Sequence, residues 1–362
     1  FAAHVDYASG TQPSAVLVTD MNRDGKPDIV CAVAGENVVS VLLGTGGGVF
    51  AARTTTGTAS SPSAIAAGDF NGDGKPDIAT ANYNAASVTV LLGNGSGGFS
   101  GRVDYAVGAI PKAVAVGDFN GDGHPDLAVA NAGAGTVSVL PGSGSGSFGA
   151  RTDFAVDANP VALVVADLNG DGRLDLAASN SSTNTVSVLL GDSAGGFGPK
   201  SNLPVTNTPW QLAAGDLDGD GAVDLAVPND VAAGTVSVIL GLARTTTHLT
   251  CTPSPAFAGG LLTLTATVDP SPPATGHPGG TVRFFDGTTL LGSAPLTGGQ
   301  AALAIYAPYP GDRTLGAVYG GDALRFGSVA AARPERVLST TAPAIVSPGA
   351  GMRLTLPMRS RL

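Results

Sequence analysis

Short runs of apolar residues alternating with polar ones, closed off by Gly, Pro, Asn and Asp, fill most of the chain. In one stretch they are Phe99-Ser-Gly-Arg-Val-Asp-Tyr-Ala, Ala113-Val-Ala-Val-Gly, Leu127-Ala-Val-Ala and Thr136-Val-Ser-Val-Leu. A helix needs an apolar stripe sustained over ten or more residues. Runs of four to eight residues bounded by breakers are too short for helices and predict strands. The expected fold class is all-β.

The runs recur. Each set of four strands carries an acidic loop between its first and second strand, and the loops begin at Asp20, Asp69, Asp118, Asp167 and Asp216, a constant spacing of 49 residues. Four strands in a repeat of about this length describe the blade of a β-propeller, which must pack against its neighbours to bury both faces. The segment Phe1-Ala-Ala-His-Val-Asp-Tyr-Ala aligns with fourth strands expected to begin at Phe50, Phe99, Phe148 and Phe197. After the fifth loop only Asp224-Leu-Ala-Val-Pro and Thr235-Val-Ser-Val-Ile-Leu follow before the repeat stops near Leu242. The count predicts five four-stranded blades over 1–243, with Phe1–Ser9 completing the last one and leaving no open edge. The same count also fits a piece of a longer array, or a strand that completes a neighbouring molecule.

From about Arg244 the pattern changes. Leu261-Leu-Thr-Leu-Thr-Ala-Thr-Val-Asp, Gly280-Thr-Val-Arg-Phe-Phe-Asp-Gly, Gln300-Ala-Ala-Leu-Ala-Ile and Thr314-Leu-Gly-Ala-Val-Tyr alternate strictly, with turns every 8–12 residues. This predicts a β-sandwich over 244–340. The stretch 341–362 has Pro, Gly and Arg but no such pattern and is left as a tail or linker.

Composition sharpens this picture in two places. The formal charge of -10 comes from 26 Asp and two Glu against 18 Lys and Arg, and 16 of those Asp lie in the five loops. The acidity is therefore mostly ligand inventory, which five divalent cations would neutralise. With so few basic residues and no basic stripe, nucleic acid is not an expected partner. No run approaches the ~20 apolar residues of a membrane span. Cys31 and Cys251 fall in different predicted domains; a buried small hydrophobe at Cys31 and a lone thiol at Cys251 are expected, with a disulfide between them the alternative.

In each loop, oxygens at positions 1, 3, 5 and 9 converge if the chain turns sharply at position 6, where Gly stands every time. The expected ligands are Asp20, Asn22, Asp24 and Asp28; Asp69, Asn71, Asp73 and Asp77; Asp118, Asn120, Asp122 and Asp126; Asp167, Asn169, Asp171 and Asp175; and Asp216, Asp218, Asp220 and Asp224. Position 7 carries Lys26, Lys75, His124, Arg173 and Ala222, so only its backbone carbonyl can be a shared ligand. With the ninth Asp bidentate, six protein oxygens and room for water suit Ca2+ better than the strict octahedron of Mg2+. About five Ca2+, one per repeat, are expected. Position 2, apolar in every copy, is expected to pack inward.

The five loops, the Gly-Asp-Phe-Asn-Gly-Asp-Gly core at 68–74 and 117–123, and the closing Gly-Gly-Phe at 97–99 and 195–197 resemble FG-GAP or VCBS-type repeats, as in integrin alpha-subunit propellers. Phe-Phe-Asp-Gly-Thr-Thr-Leu-Leu-Gly and Ala-Val-Tyr-Gly-Gly-Asp resemble bacterial Ig-like domains. The resemblance implies calcium at the matching loop positions and an extracellular or cell-surface setting. The function expected from it is a calcium-binding adhesion or structural module whose partner is an extracellular protein or glycan. A subunit of an extracellular polymer assembled by terminal strand exchange is one rival, and a carbohydrate-binding or polysaccharide-processing protein is another.

Catalysis is not expected. His4, His124, His248 and His277 stand beside no Ser or Cys pattern, and Gly93-Asn-Gly-Ser-Gly-Gly joins two strands, so it is a turn and not a dinucleotide loop. Trp210, the single tryptophan, occupies the position held by Ser14, Ser63, Lys112 and Val161 in the other copies. It is expected either to stack on a sugar or to pack at a domain junction.

Overall fold

The computed structural model describes residues 4–230, 234–271, 274, 276–307, 309–322, 325 and 327–339. The chain divides into two compact units at Leu242/Ala243. The described residues form strands and turns, with no helix among them.

In the first unit, each of the first four repeats is a four-stranded antiparallel sheet with its strands in chain order. The first is Pro13–Thr19, Asp28–Val33, Val38–Leu42 and Thr54–Gly57; the second is Pro62–Gly68, Asp77–Asn82, Ser87–Gly93 and Phe99–Ala106. The third is Pro111–Gly117, Asp126–Asn131, Thr136–Leu140 and Thr152–Ala155; the fourth is Pro160–Ala166, Asp175–Asn180, Thr185–Leu189 and Ser201–Pro204. Small Ala and Val side chains dominate the second strands, which lie buried along their whole length in the second, third and fourth sheets. Four apolar clusters each join one sheet to the next, so each blade covers the face its neighbour leaves bare.

Two expectations about strands need correction. Of the four phenylalanines, only Phe99 opens a fourth strand; Phe50, Phe148 and Phe197 instead pair back onto Gly44, Gly142 and Gly191 in a small hairpin before the fourth strand begins. The hairpin aims the ring back at the preceding blade. Phe148 meets Phe70 at 5.3 Å and Tyr105 at 5.5 Å, both edge-on. Phe148→Ala is expected to cost about 3 kcal/mol in urea unfolding, since it opens a cavity and removes two aromatic contacts. Phe148→Leu should retain most of that, and a loss below about 1 kcal/mol for the alanine variant would show that the hairpin adds little to blade cohesion.

The second correction concerns closure. The fifth sheet has three strands, Ala213–Gly215, Asp224–Asn229 and Thr235–Ile239. His4–Ser9, the described part of the segment expected to complete it, forms no strand. Tyr7 sits instead against Phe50, and its hydroxyl donates to the Gly48 carbonyl. An extended segment stays there because the aromatic contact is local to the first repeat.

The second unit is a sandwich. Thr245–Thr252, Leu261–Pro270 and Gln300–Tyr306 form one sheet. Ala256–Phe257, Arg333–Leu338, Gly311–Tyr319, Thr281–Asp286 and Thr289–Pro295 form the other, with Ser328–Val329 beside Gly311–Tyr319. The strict alternation does its work here: Leu262, Leu264, Ala266 and Val268 point into one core with Val282, Phe284, Ala317 and Tyr319. Cys31 and Cys251 are both buried and free. The stretch 341–362 lies outside the described residues.

Candidate metal centres in the acidic loops

Each acidic loop leaves the first strand of its blade and returns as the second, whose first residue is the ninth-position Asp. Position 6 takes a left-handed turn in every copy, with φ between 76° and 86° at Gly25, Gly74, Gly123, Gly172 and Gly221. Position 4 does so as well. There glycine serves in four copies, but Arg23 holds φ 61° in the first.

The side chains fold the loop around its own backbone in one shared pattern. The position-1 carboxylate accepts the N–H of positions 5 and 6, as Asp118 does from Asp122 and Gly123. The position-3 oxygen accepts the N–H of position 5, as Asn120 does from Asp122 at 2.8 Å. Position 5 accepts the N–H of position 7, as Asp122 does from His124. A carboxylate oxygen that accepts one N–H keeps a lone pair for a cation. These bonds orient the oxygens without exhausting them.

The ninth Asp does more than the sequence reading gave it. Asp28, Asp77, Asp126, Asp175 and Asp224 are all buried. One oxygen accepts the backbone N–H of position 2, at Met21, Phe70, Phe119, Leu168 and Leu217. The other accepts the N–H of a glycine at or just past the end of the third strand, at Gly44, Gly93, Gly142, Gly191 and Gly241. One carboxylate thus ties the loop to the far end of its blade. That glycine is required because a β-carbon there would collide with a backbone carbonyl oxygen, of Pro27, Pro76, Pro125, Leu174 or Val223. Withdrawal from water pushes the Asp77, Asp126 and Asp175 carboxyls above the usual range, against the lowering effect of the N–H donors. A raised folded pKa means these groups contribute most below their unfolded pKa and lose that contribution as pH rises through the folded value.

Position 7 also behaves unevenly. Lys26, Lys75 and Arg173 pair with the position-5 carboxylates of Asp24, Asp73 and Asp171 at 3.1, 2.9 and 2.6 Å. The backbone N–H and ammonium of Lys26 hold the Asp24 carboxyl below its usual range, and Lys75 does the same for Asp73. His124 is exposed and Ala222 has no charge to offer. The opposite charges two residues apart were the available signal.

The fifth loop has no such counter-charge. Carboxylate oxygens of Asp216, Asp218 and Asp224, from positions 1, 3 and 9, lie within 4.8 Å of one another. Desolvation, followed by repulsion from Asp220, Asp224 and Asp216, pushes the Asp218 carboxyl up. Converged hard oxygens that repel one another fit a divalent cation, whose charge would relieve the repulsion. Positions 1, 3, 5 and 9 of the other loops offer the same oxygen chemistry, with Asn at position 3.

Position 2 packs inward in most copies. Met21, Phe70 and Phe119 are buried and Leu168 is half-buried, but Leu217 is exposed. Its neighbours in the earlier copies lie on the following blade, as Phe99 does beside Met21, and the fifth blade has no blade after it in the structure.

Apart from the loops, Ser14, Ser63, Lys112, Val161 and Trp210, the five equivalents of one repeat position, meet around a hollow of about 270 Å³ together with Tyr83 and Gln211. Trp210 is exposed, and Lys112 Nζ lies 5.7 Å from its ring centroid. The Ser14 and Ser63 hydroxyls are engaged with the Pro62 and Pro111 carbonyls of the next blade.

These features define an all-β repeat protein of Asp-loop blades followed by a sandwich domain. A family model described as FG-GAP-like repeat matches residues 20–80, 69–129, 118–178 and 167–227, and one described as bacterial Ig-like domain (group 3) matches 249–337. The chain belongs to the FG-GAP-like repeat family and carries a bacterial Ig-like domain. Both domain types are typical of extracellular proteins. No curated protein matches the chain in sequence. Among solved structures, the Vibrio cholerae biofilm matrix protein Bap1 is 14% identical, with a TM-score of 0.39 over 90% of this chain and 68% of that one. A Lactobacillus plantarum protein is 15% identical, with a TM-score of 0.43 over 80% of this chain and 88% of that one. The Photorhabdus luminescens Tc holotoxin pore is 17% identical, with a TM-score of 0.36; the match takes in 85% of this chain but only 17% of the toxin chain. No helix among the described residues is long and apolar enough to cross a membrane.

Proposed function

We propose that the protein is a secreted, calcium-stabilised adhesion or structural module in which Ca2+ at the acidic loops stiffens each blade and takes no part in catalysis. The observation that carries this reading is the convergence of the Asp216, Asp218 and Asp224 oxygens in a loop whose architecture is repeated four more times. The ninth-position clamp supports it further. A cation pulling on that carboxylate would tighten the link from the loop to the end of the third strand, so metal binding would be transmitted to the whole blade. Equilibrium dialysis against Ca2+ is expected to give about five ions per chain, and binding of fewer than one would overturn the reading.

A second reading concerns the ligand. An exposed indole beside Tyr83, with Lys112 and Gln211 at its margin, suits a sugar ring stacked on Trp210 and held by polar contacts at its rim. Because Trp210 is the single tryptophan, its fluorescence reports this contact directly. Titration with soluble oligosaccharides should shift the emission, and Trp210→Ala should abolish retention on the same glycans. Unchanged emission across a broad glycan panel would remove this reading while leaving the calcium sites intact.

A further inference from the structure

Charge sets the hollow around Trp210 apart from the rest of the chain. The net charge is -10, yet among the described residues no carboxylate lines this hollow, and its one charged group is the Lys112 ammonium. Lys26, Lys75 and Lys200 each pair with an aspartate. Lys112 is half-buried and has no carboxylate within ion-pair distance among the described residues. A partly desolvated cation without a counter-ion, in a cleft of one sign, draws an anion to itself.

The ammonium is also held in place. It donates to Asn159 Oδ1 at 3.4 Å, and the Asn159 amide is fixed in turn by donating to Ser181 Oγ at 2.7 Å. The Trp210 ring centroid lies 5.7 Å away, within reach of a cation–π contact. Neither contact supplies a negative charge, and an ammonium with three N–H groups has donors to spare.

The remaining groups sort by what they offer. The Ser14 and Ser63 hydroxyls donate to the Pro62 and Pro111 carbonyls, so toward a ligand their oxygens can only accept. The Tyr83 hydroxyl and the Gln211 amide have no side-chain partner among the described residues and are free to donate. Trp210 also borders a second hollow of about 290 Å³, which it lines with Pro228 and the exposed Asp230. One indole is thus shared by a hollow that holds a cation and a hollow that holds a carboxylate. The first suits an anion, and the second repels one and accepts hydroxyls.

We propose, resting on the sugar reading of Trp210, that the ligand is an acidic glycan in which an anionic sugar adjoins a neutral one. The anionic group sits at Lys112, with the Tyr83 hydroxyl and the Gln211 amide donating beside it and the sugar ring against Trp210. The neutral neighbour occupies the second hollow, where Asp230 accepts its hydroxyls and excludes a second anion. Carboxylate and sulfate share the chemistry recognised here, because an ammonium is a point charge without the planar fork that matches one anion geometry.

Emission from Trp210, the single tryptophan, reads the binding at fixed free calcium. The probes are hexasaccharides alternating a uronic acid with a neutral sugar, built on glucuronate, galacturonate or mannuronate. Each is matched by its carboxyl-reduced counterpart, by a sulfated form of that counterpart and by an uninterrupted run of the same uronic acid. At least one acidic probe should bind about tenfold more tightly than its reduced counterpart, and added salt should narrow the gap. Lys112→Gln should erase the difference between the two, and Lys112→Arg should keep it, which a purely structural lysine would not do. If the sulfated probe binds best, the anion is a sulfate and the proposal stands. Acidic and reduced probes that bind the wild type alike would overturn the proposal and leave the sugar reading intact. A preference for the acidic probe that survives Lys112→Gln would also overturn it, by placing the anion elsewhere. An uninterrupted uronic-acid run that binds as tightly as the alternating probe would overturn the assignment of the second hollow. Silence from every probe, acidic and neutral, would remove the sugar reading and this inference with it.

Discussion

Asp126→Ala is expected to lower stability by about 4 kcal/mol, in chelator as well as in calcium. The side chain is buried, one oxygen accepts the Phe119 N–H at 2.9 Å, and the other accepts the Gly142 N–H at 2.7 Å. Alanine leaves both donors buried without a partner, and each such orphan costs roughly 1–3 kcal/mol. The damage spreads because Phe119 is the position-2 anchor that packs on Phe197 of the fourth blade. Asp126→Asn keeps the shape and one acceptor, so about half of the loss should return. Urea unfolding of both variants with and without calcium separates the roles of this residue. If the chelated alanine variant lost less than about 1 kcal/mol, the ninth-position Asp would be a metal ligand alone and the clamp would form only around a cation.

The clamp shows how much of the site could be read from sequence. A 49-residue recurrence of Asp, Asn and Gly shows where each acidic loop lies and where its chain turns, because those properties are local. The position-6 glycines met that expectation in every copy. The ninth Asp was expected as a ligand; its bond to Gly142 was not foreseen, because it spans 16 residues and a contact between distant strands leaves no local pattern. Its trace was nevertheless present, as a glycine at nearly constant distance after each loop whose only requirement is close approach of a carbonyl.

The fold shows the same division. Period-two alternation located strands of the second unit, where one side of each strand is buried, while in the first unit short apolar runs between Gly, Pro, Asn and Asp located second strands that are buried on both faces. The start of the fourth strand was misplaced in three of the four complete blades because Phe50, Phe148 and Phe197 sit in a hairpin outside the ladder, where Phe148 and Phe197 meet aromatic rings of the preceding blade and Phe50 meets Tyr7. A phenylalanine looks the same in sequence whether it pairs within its own sheet or packs on the next. The segment before Ser9 aligned as a strand for a related reason. It carries an aromatic at the fourth-strand position, and the structure shows that aromatic against Phe50 while His4–Ser9 forms no strand.

Removing calcium is expected to have the largest effect of all. A ligand that binds only the folded state adds about 2.7 kcal/mol per site at a hundredfold excess over its Kd. Several loops on blades that stabilise one another would act together. The loss should appear as like-charge repulsion released where position 7 offers no cation, above all at Asp216, Asp218 and Asp224, while the Lys26, Lys75 and Arg173 pairs blunt it in the first, second and fourth loops. The fifth blade should therefore melt first in chelator. The most direct measurement is the thermal unfolding midpoint of the full chain, scanned once in saturating calcium and once in excess chelator. The account predicts a midpoint higher by more than about 10 °C in calcium; the same midpoint in both would contradict it.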